Sequence, residues 1–208
     1  MPRNAGKNRN IQRPSIVLAH GAGAGMDSDF IQTFAAGLKE QGFDCILFNF
    51  PYMEKRAQDG KRRPPDRTPK LLEHFRSVIE AAGTDKPLII GGKSMGGRIA
   101  SMIAAEGVFP LAGLVLLGYP FHPPGKPEKL AQRTEHFTAI KTPTLLLQGE
   151  RDTFGGRELL GTLTLPKSFK TRWMPDGDHS FKPRKKSGHT LAENISAALE
   201  AVASKNWR

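Results

Sequence analysis

The sequence predicts an α/β fold, with about six mostly parallel strands in one sheet and helices on both faces. Short β-branched or leucine-rich runs recur along the chain, and stretches with apolar residues at helical spacing separate them. A strand followed each time by a covering helix is how a parallel sheet reads in sequence. The length of 208 residues suits one domain that buries its core without staples.

The expected strands are 15–19 (SIVLA), 45–50 (CILFNF), 87–92 (PLIIGG), 111–118 (LAGLVLLG), 142–149 (TPTLLLQG) and 170–174 (KTRWM). Phe30, Ile31, Phe34 and Leu38 mark a helix after the first strand. Leu71, Leu72, Phe75, Val78 and Ile79 mark a second, and Met95, Ile99, Met102 and Ile103 a third. The segment TLAENISAALEAVA opens with a Thr190-x-x-Glu193 capping box and sets Leu191, Ile195, Leu199 and Val202 on one stripe, which predicts a C-terminal docking helix. No internal repeat or low-complexity tract interrupts this order. Residues 1–13 read as a basic, flexible N-terminal arm and 14–208 as a single domain.

The net charge of +11 is confined to three places. Residues 1–14 carry Arg3, Lys7, Arg9 and Arg13 without an acid; 54–67 (EKRAQDGKRRPPDR) hold six bases against three acids; 182–186 (KPRKK) hold four bases. The rest of the chain is neutral, so the excess belongs to a terminal arm and two expected loops, as solvated segments or as an anion-binding rim near a site. Aromatic residues are not interleaved with these bases, which argues against nucleic acid as a partner. Cys45 is the only cysteine and sits in an apolar run, which predicts an inert thiol and a reducing compartment. The N-terminus lacks the apolar core of a signal peptide and no stretch has the length of a membrane span, so the expected location is cytoplasmic.

Chemistry concentrates in GGKSMGGRIA, residues 91–100. Gly92-Lys93-Ser94 resembles the end of a phosphate-cradling loop, but that motif needs a glycine where Pro87 stands. The competing frame is Gly92-x-Ser94-x-Gly96, in which a strand ends, a serine occupies a strained turn and a helix begins. Side chains two residues either side of the serine would collide across that turn, which Gly92 and Gly96 avoid.

Such a serine needs a base and an orienting acid, supplied after later strands. The strand TLLLQG runs into ERDTFG and puts Asp152 just past its end; the last strand runs into PDGDHSF and puts His179 before the final helix. Ser94, Asp152 and His179 thus occur in the required order, each at a strand's carboxyl end, where groups distant in sequence converge. Glu150 and Asp178 are rival acids, but Glu150 comes earlier in the turn and Asp178 adjoins the histidine. His189 lies beside the Thr190 cap, and His74, His122 and His136 precede the acid. The backbone N–H of Met95 and one from Ala22 or Gly23, in the loop HGAGAGMDSDF, are the candidate donors to a developing oxyanion. That loop is an incomplete dinucleotide fingerprint, because Met26 stands where the third glycine belongs.

The segments HGAGAGMDS, FNFPYMEK, RPPDR, GGKSMGGR, GYPFHPPGKP and GERDTFG followed by DHSF resemble the small α/β-hydrolase-like family that groups testis-expressed protein 30 with the hydrolase-like subunit of a chromatin acetyltransferase complex, among dienelactone-hydrolase-like serine hydrolases. The resemblance runs from Pro14 onward. It implies a minimal α/β-hydrolase fold lacking the first two strands of the full form, and carries Ser94, Asp152 and His179 over as triad positions. It also implies that Tyr119 and Phe121, with Pro120, help line a substrate pocket, to which Lys93 is added as the variable position of the elbow. Only 25 residues, 119–143, separate the fourth and fifth strands, too few for a lid domain, so the site should be open, with 55–67 as a wall. The expected function is hydrolysis of an acyl ester or thioester of a small substrate through an acyl-enzyme, with no metal or organic cofactor. The alternative is a protein-binding module that keeps the hydrolase geometry and uses its basic loops for partners.

Overall fold

The computed structural model describes residues 13–83 and 85–207, so all of the expected N-terminal arm except Arg13 lies outside the described residues. Six strands form one sheet: β1 (Ser15–Ala19), β2 (Asp44–Phe48), β3 (Leu88–Lys93), β4 (Leu111–Leu117), β5 (Thr144–Gly149) and β6 (Phe169–Met174). Their order is β2-β1-β3-β4-β5-β6 and every pairing is parallel. Each expected strand is present within two residues of its predicted bounds. Two-residue differences occur at the start of β5 and at the end of β2, where Asn49 and Phe50 leave the sheet: the Asn49 side chain accepts the Met26 N–H at 2.8 Å and the Phe50 N–H donates to His20.

Helices cover both faces because successive strand residues point in opposite directions. Ile16 and Leu18 of β1 pack with Phe34 and Leu38 of α1 (Asp29–Glu40), and the same cluster takes in Ile195, Ala198 and Val202 of the C-terminal helix Leu191–Ser204. Val17 and Ala19 face the other layer, built from Phe75 and Ile79 of α3 (Thr68–Ala82) and Ile99 and Ile103 of α4 (Met95–Glu106). These side chains are almost fully shielded from water, and burial of each Val, Leu, Ile or Phe among them contributes about 1.5–3 kcal/mol. The C-terminal helix begins with the predicted capping box: Thr190 Oγ1 accepts the Glu193 N–H and the Glu193 carboxylate accepts the Thr190 N–H.

A helix stands where a loop was expected. Pro51–Asp59 form α2, which opens on a proline and closes at Gly60 with φ +69°. Proline loses nothing at the first helical position and glycine accepts the left-handed closing residue, so the two ends define the helix. Its interior is charged and buries only Tyr52 and Met53, leaving no apolar stripe to read. Shorter helices, α5 (Leu130–Thr134) and α6 (Arg157–Gly161), with 3-10 turns at Pro127–Lys129 and Glu135–Ala139, fill the remaining connections. The C-terminal helix is therefore α7.

The topology locates a crevice. The chain leaves β1 toward β2 on one side, whereas it leaves β3 toward β4 on the other. At such a switch the loops that follow two neighbouring strands part, opening space at their carboxyl ends. The loops concerned are 20–28 after β1 and Ser94 after β3.

Candidate active site

Ser94 sits between β3 and α4 with φ +51° and ψ −114°, a backbone conformation that residues with side chains rarely adopt. It is held at both ends, by its N–H on the Leu117 carbonyl at 2.9 Å and by the Arg98 N–H on its own carbonyl at 3.0 Å. A side chain at Gly92 would place its Cβ 2.6 Å from the Ala19 carbonyl oxygen, and one at Gly96 would meet the carbonyls of Ala19 and His20 at 2.6 Å. Both glycines are therefore required by closeness to the backbone of β1.

The three residues expected to work together are joined in one line. His179 Nε2 lies 2.8 Å from Ser94 Oγ, and His179 Nδ1 lies 2.8 Å from Asp152 Oδ2. An ionised carboxylate only accepts, so Nδ1 carries the ring proton and Nε2 is left to accept from the serine hydroxyl. Asp152 is 4% exposed and its remaining lone pairs are met by Gln148 Nε2 at 2.9 Å and the Phe154 N–H at 2.8 Å. The Phe154 ring stacks on the imidazole with 4.2 Å between centroids. This line can draw the hydroxyl proton toward nitrogen as the oxygen attacks an electrophile, with the carboxylate stabilising the imidazolium that results.

The rivals are engaged elsewhere. Asp178 Oδ1 accepts the N–H groups of Ser180 and Lys182, and Glu150 accepts the Asp176 N–H and pairs with Arg157. His189 is exposed beside the Thr190 cap, His74 Nε2 meets the Asn49 carbonyl and His122 Nδ1 meets the carbonyl of Pro123. A second serine–histidine contact, Ser101 Oγ to His136 Nε2 at 2.8 Å, differs in kind. Ser101 is wholly buried within α4, and among the described residues no carboxylate backs His136. Burial and the nearby Arg98 charge push the His136 pKa down to about 4, which keeps it neutral.

The loop after β1 is fixed by two side chains that sequence reasoning missed. His20 is fully buried; its Nε2 accepts the Phe50 N–H at 3.0 Å, so Nδ1 carries the proton and donates to the Gly21 carbonyl at 2.7 Å. Burial also lowers its pKa. The Tyr52 hydroxyl donates to the Ala22 carbonyl at 3.0 Å. With these carbonyls held from beneath, Ala22 and Gly23 lie exposed, and among the described residues no acceptor engages the N–H of Ala22, Gly23 or Met95. A polar residue directly after an apolar strand, as in LAHG, is the signal that could have found His20.

Tyr119, Phe121 and Lys93 depart from expectation. Tyr119 and Phe121 are wholly buried, packed edge to face at 4.9 Å within the core, so they lie beneath the site and offer no surface to a substrate. Lys93 is 8% exposed and turns inward to the His179 carbonyl. The expected basic wall is confined to its first turn: Arg56 and Ala57, with Gly23, Asn49 and Met53, border a cleft of about 370 Å³ beside the β1 loop. A second cleft, of about 450 Å³, lies between His122, Asp152 and Leu159. Cys45 is half-buried, and burial pushes its thiol up to about 11, which leaves it unreactive at neutral pH. Among the described residues no group of His, Cys, Asp or Glu is arranged to hold a metal ion, and no helix is long and apolar enough to cross a membrane.

A parallel sheet of this order, with a serine at the strained turn after its third strand and no lid domain between β4 and β5, defines the α/β-hydrolase fold. The chain belongs to the family described as alpha/beta hydrolase domain, whose model matches residues 12–206. Solved structures agree on the fold. A Butyrivibrio proteoclasticus protein with ferulic acid bound is 17% identical over 94% of this chain and 90% of its own, with a TM-score of 0.67. Dienelactone hydrolase from Anabaena variabilis is 21% identical over 92% and 86%, with a TM-score of 0.66. A Xanthomonas campestris protein described as an a/b serine hydrolase without lid is 19% identical over 94% and 84%, with a TM-score of 0.65.

Proposed function

We propose that this hydrolase is a serine esterase or thioesterase that cleaves a small acyl substrate through an acyl-enzyme on Ser94. The observation that carries the reading is the pair of 2.8 Å contacts linking Ser94, His179 and Asp152. Ser94 Oγ attacks the acyl carbon while His179 Nε2 takes the hydroxyl proton. The resulting oxyanion is held by the Met95 N–H, at the start of α4, whose dipole favours negative charge, and by the N–H of Ala22 or Gly23 in the loop after β1. His179 then returns the proton to the departing alcohol or thiol. Water attacks the ester in the second half, with His179 taking its proton, and that proton passes to Ser94 Oγ as the bond to the acyl carbon breaks and the acid is released. The clefts of about 370 and 450 Å³ beside the β1 loop and Asp152 have room for a small acyl substrate.

The motif resemblance supports placing the chain with the testis-expressed protein 30 group, and its lone cysteine supports a cytoplasmic, reducing setting. The test is labelling with a fluorophosphonate probe. Wild type and Ser101→Ala should label, Ser94→Ala should not. A folded wild type that takes no label would leave the protein-binding alternative in its place.

A further inference from the structure

We propose that Lys93 is a positioning residue whose ammonium ties the backbone of His179 to the elbow and so sets the reach between Ser94 and its base. The inference rests on the reading of Ser94 and His179 given above.

Lys93 Nζ donates to the His179 carbonyl at 2.7 Å, and among the described residues no other donor reaches that oxygen. The rest of the histidine loop is braced differently. Arg151 N–H holds the Gly177 carbonyl at 2.9 Å, and Asn194 Nδ2 holds those of Pro175 and Phe181 at 3.0 and 2.7 Å. Those bonds fasten the loop to the turn after β5 and to α7, but neither element carries the serine. Lys93 is covalently next to Ser94, so its bond closes a small ring through the peptide link, the serine, the imidazole and back to the His179 carbonyl. Movement of the loop away from the elbow must break that ring.

The surroundings are shaped around the contact. Gly118, with φ +60°, leaves room for it, because a Cβ there would stand 2.7 Å from the His179 carbonyl oxygen and 3.1 Å from Lys93 Nζ. The Phe30 ring lies 5.5 Å from the ammonium. Desolvation pushes the lysine pKa down to about 8, opposed by the carboxylates of Asp152 and Asp178. A buried ammonium is a poor choice for stability, since an apolar chain of similar volume fills such a space without the desolvation penalty. Its contribution is therefore expected in geometry, where a misplacement of about 1 Å lowers rates on the order of 100-fold.

The experiment compares the full chain with Lys93→Met and Lys93→Arg, measuring the second-order rate of fluorophosphonate labelling, the melting temperature and the His179 ring signals in proton–nitrogen NMR spectra. Lys93→Met should melt at or above wild type yet label roughly 10- to 100-fold more slowly, and Lys93→Arg, which restores a donor, should recover much of the rate. A melting temperature that holds while labelling falls is not what a merely structural residue produces. Labelling of Lys93→Met at the wild-type rate overturns the inference and leaves the function standing. If wild type itself does not label, the function falls and the ring signals decide: unchanged His179 signals in Lys93→Met overturn the inference, displaced ones support it. Should Lys93→Met not fold, Lys93→Gln replaces it, because its shorter amide cannot span to the same carbonyl.

Discussion

Gln148 Nε2 donates to Asp152 Oδ2 at 2.9 Å while Gln148 Oε1 accepts the Tyr119 N–H at 2.7 Å. The second bond fixes which way the amide faces, so the carboxylate meets a donor and never the amide oxygen. The same NH₂ group also reaches the carbonyls of Gly155 and Tyr119. One fully buried side chain thus joins β5, the loop after β4 and the acid of the proposed relay. Gln148→Met keeps the volume and strands these partners. It should lower unfolding free energy by about 3 kcal/mol and slow probe labelling at least 10-fold, read from urea denaturation and labelling kinetics.

Asp152→Asn tests a narrower point. Its side chain is nearly the same size, and with its oxygen in the place of Oδ1 it keeps the bond from the Phe154 N–H, while its amide nitrogen takes the place of Oδ2, opposite both His179 and the Gln148 NH₂ group, so the fold should survive at the loss of the Gln148 bond. Facing His179 with an amide N–H instead would reverse the imidazole tautomer and point a proton at Ser94. The expected loss is on the order of 10⁴-fold in turnover of a p-nitrophenyl ester, with a folded protein whose melting temperature is lowered by the stranded Gln148 donor.

Gly96→Ala separates the backbone requirement from the chemistry. The added methyl would lie 2.6 Å from two carbonyl oxygens of β1 and its following residue, neither of which can yield without shifting the strand. A destabilisation of about 2–3 kcal/mol is expected, together with loss of labelling, and thermal melting provides the check. A variant as stable and reactive as wild type would remove the close-packed elbow from the account.

What could be read in advance follows physical lines. Buried parallel strands are largely apolar, so LAGLVLLG and TLLLQG mark themselves, and Ser94 and Asp152 are recognisable because each follows such a strand; His179 follows the half-exposed edge strand FKTRWM and is recognisable by its place before the final helix. Helix α2 escaped because its fold signal is a proline and a glycine at its ends, with a charged body between them. Tyr119 and Phe121 were misjudged because adjacency in sequence to a strand end does not reveal which way a side chain turns; here both turn into the core. Lys93 and Gln148 are polar residues inside apolar strands, and only the three-dimensional arrangement supplies their partners.

Acid should destabilise the protein through buried His20 and half-buried His136, in a defined window. His136 has its pKa pushed down to about 4, and burial lowers that of His20 as well. In the unfolded chain both would titrate near 6.5. Between that value and the folded one, the unfolded state binds more protons, so stability rises with pH across the interval. The contribution of a neutral His136 is therefore complete above about 6.5 and is lost as pH falls toward 4. His20 acts in the same direction, since protonating Nε2 would set a donor against the Phe50 N–H. Melting temperatures taken from pH 7.5 to 4 should fall through this range. His136→Gln offers an amide that can still hydrogen-bond the Ser101 hydroxyl but removes the titration, so its curve should be shallower than that of wild type between pH 6.5 and 4. Parallel curves for the two proteins would show that acid destabilisation arises elsewhere.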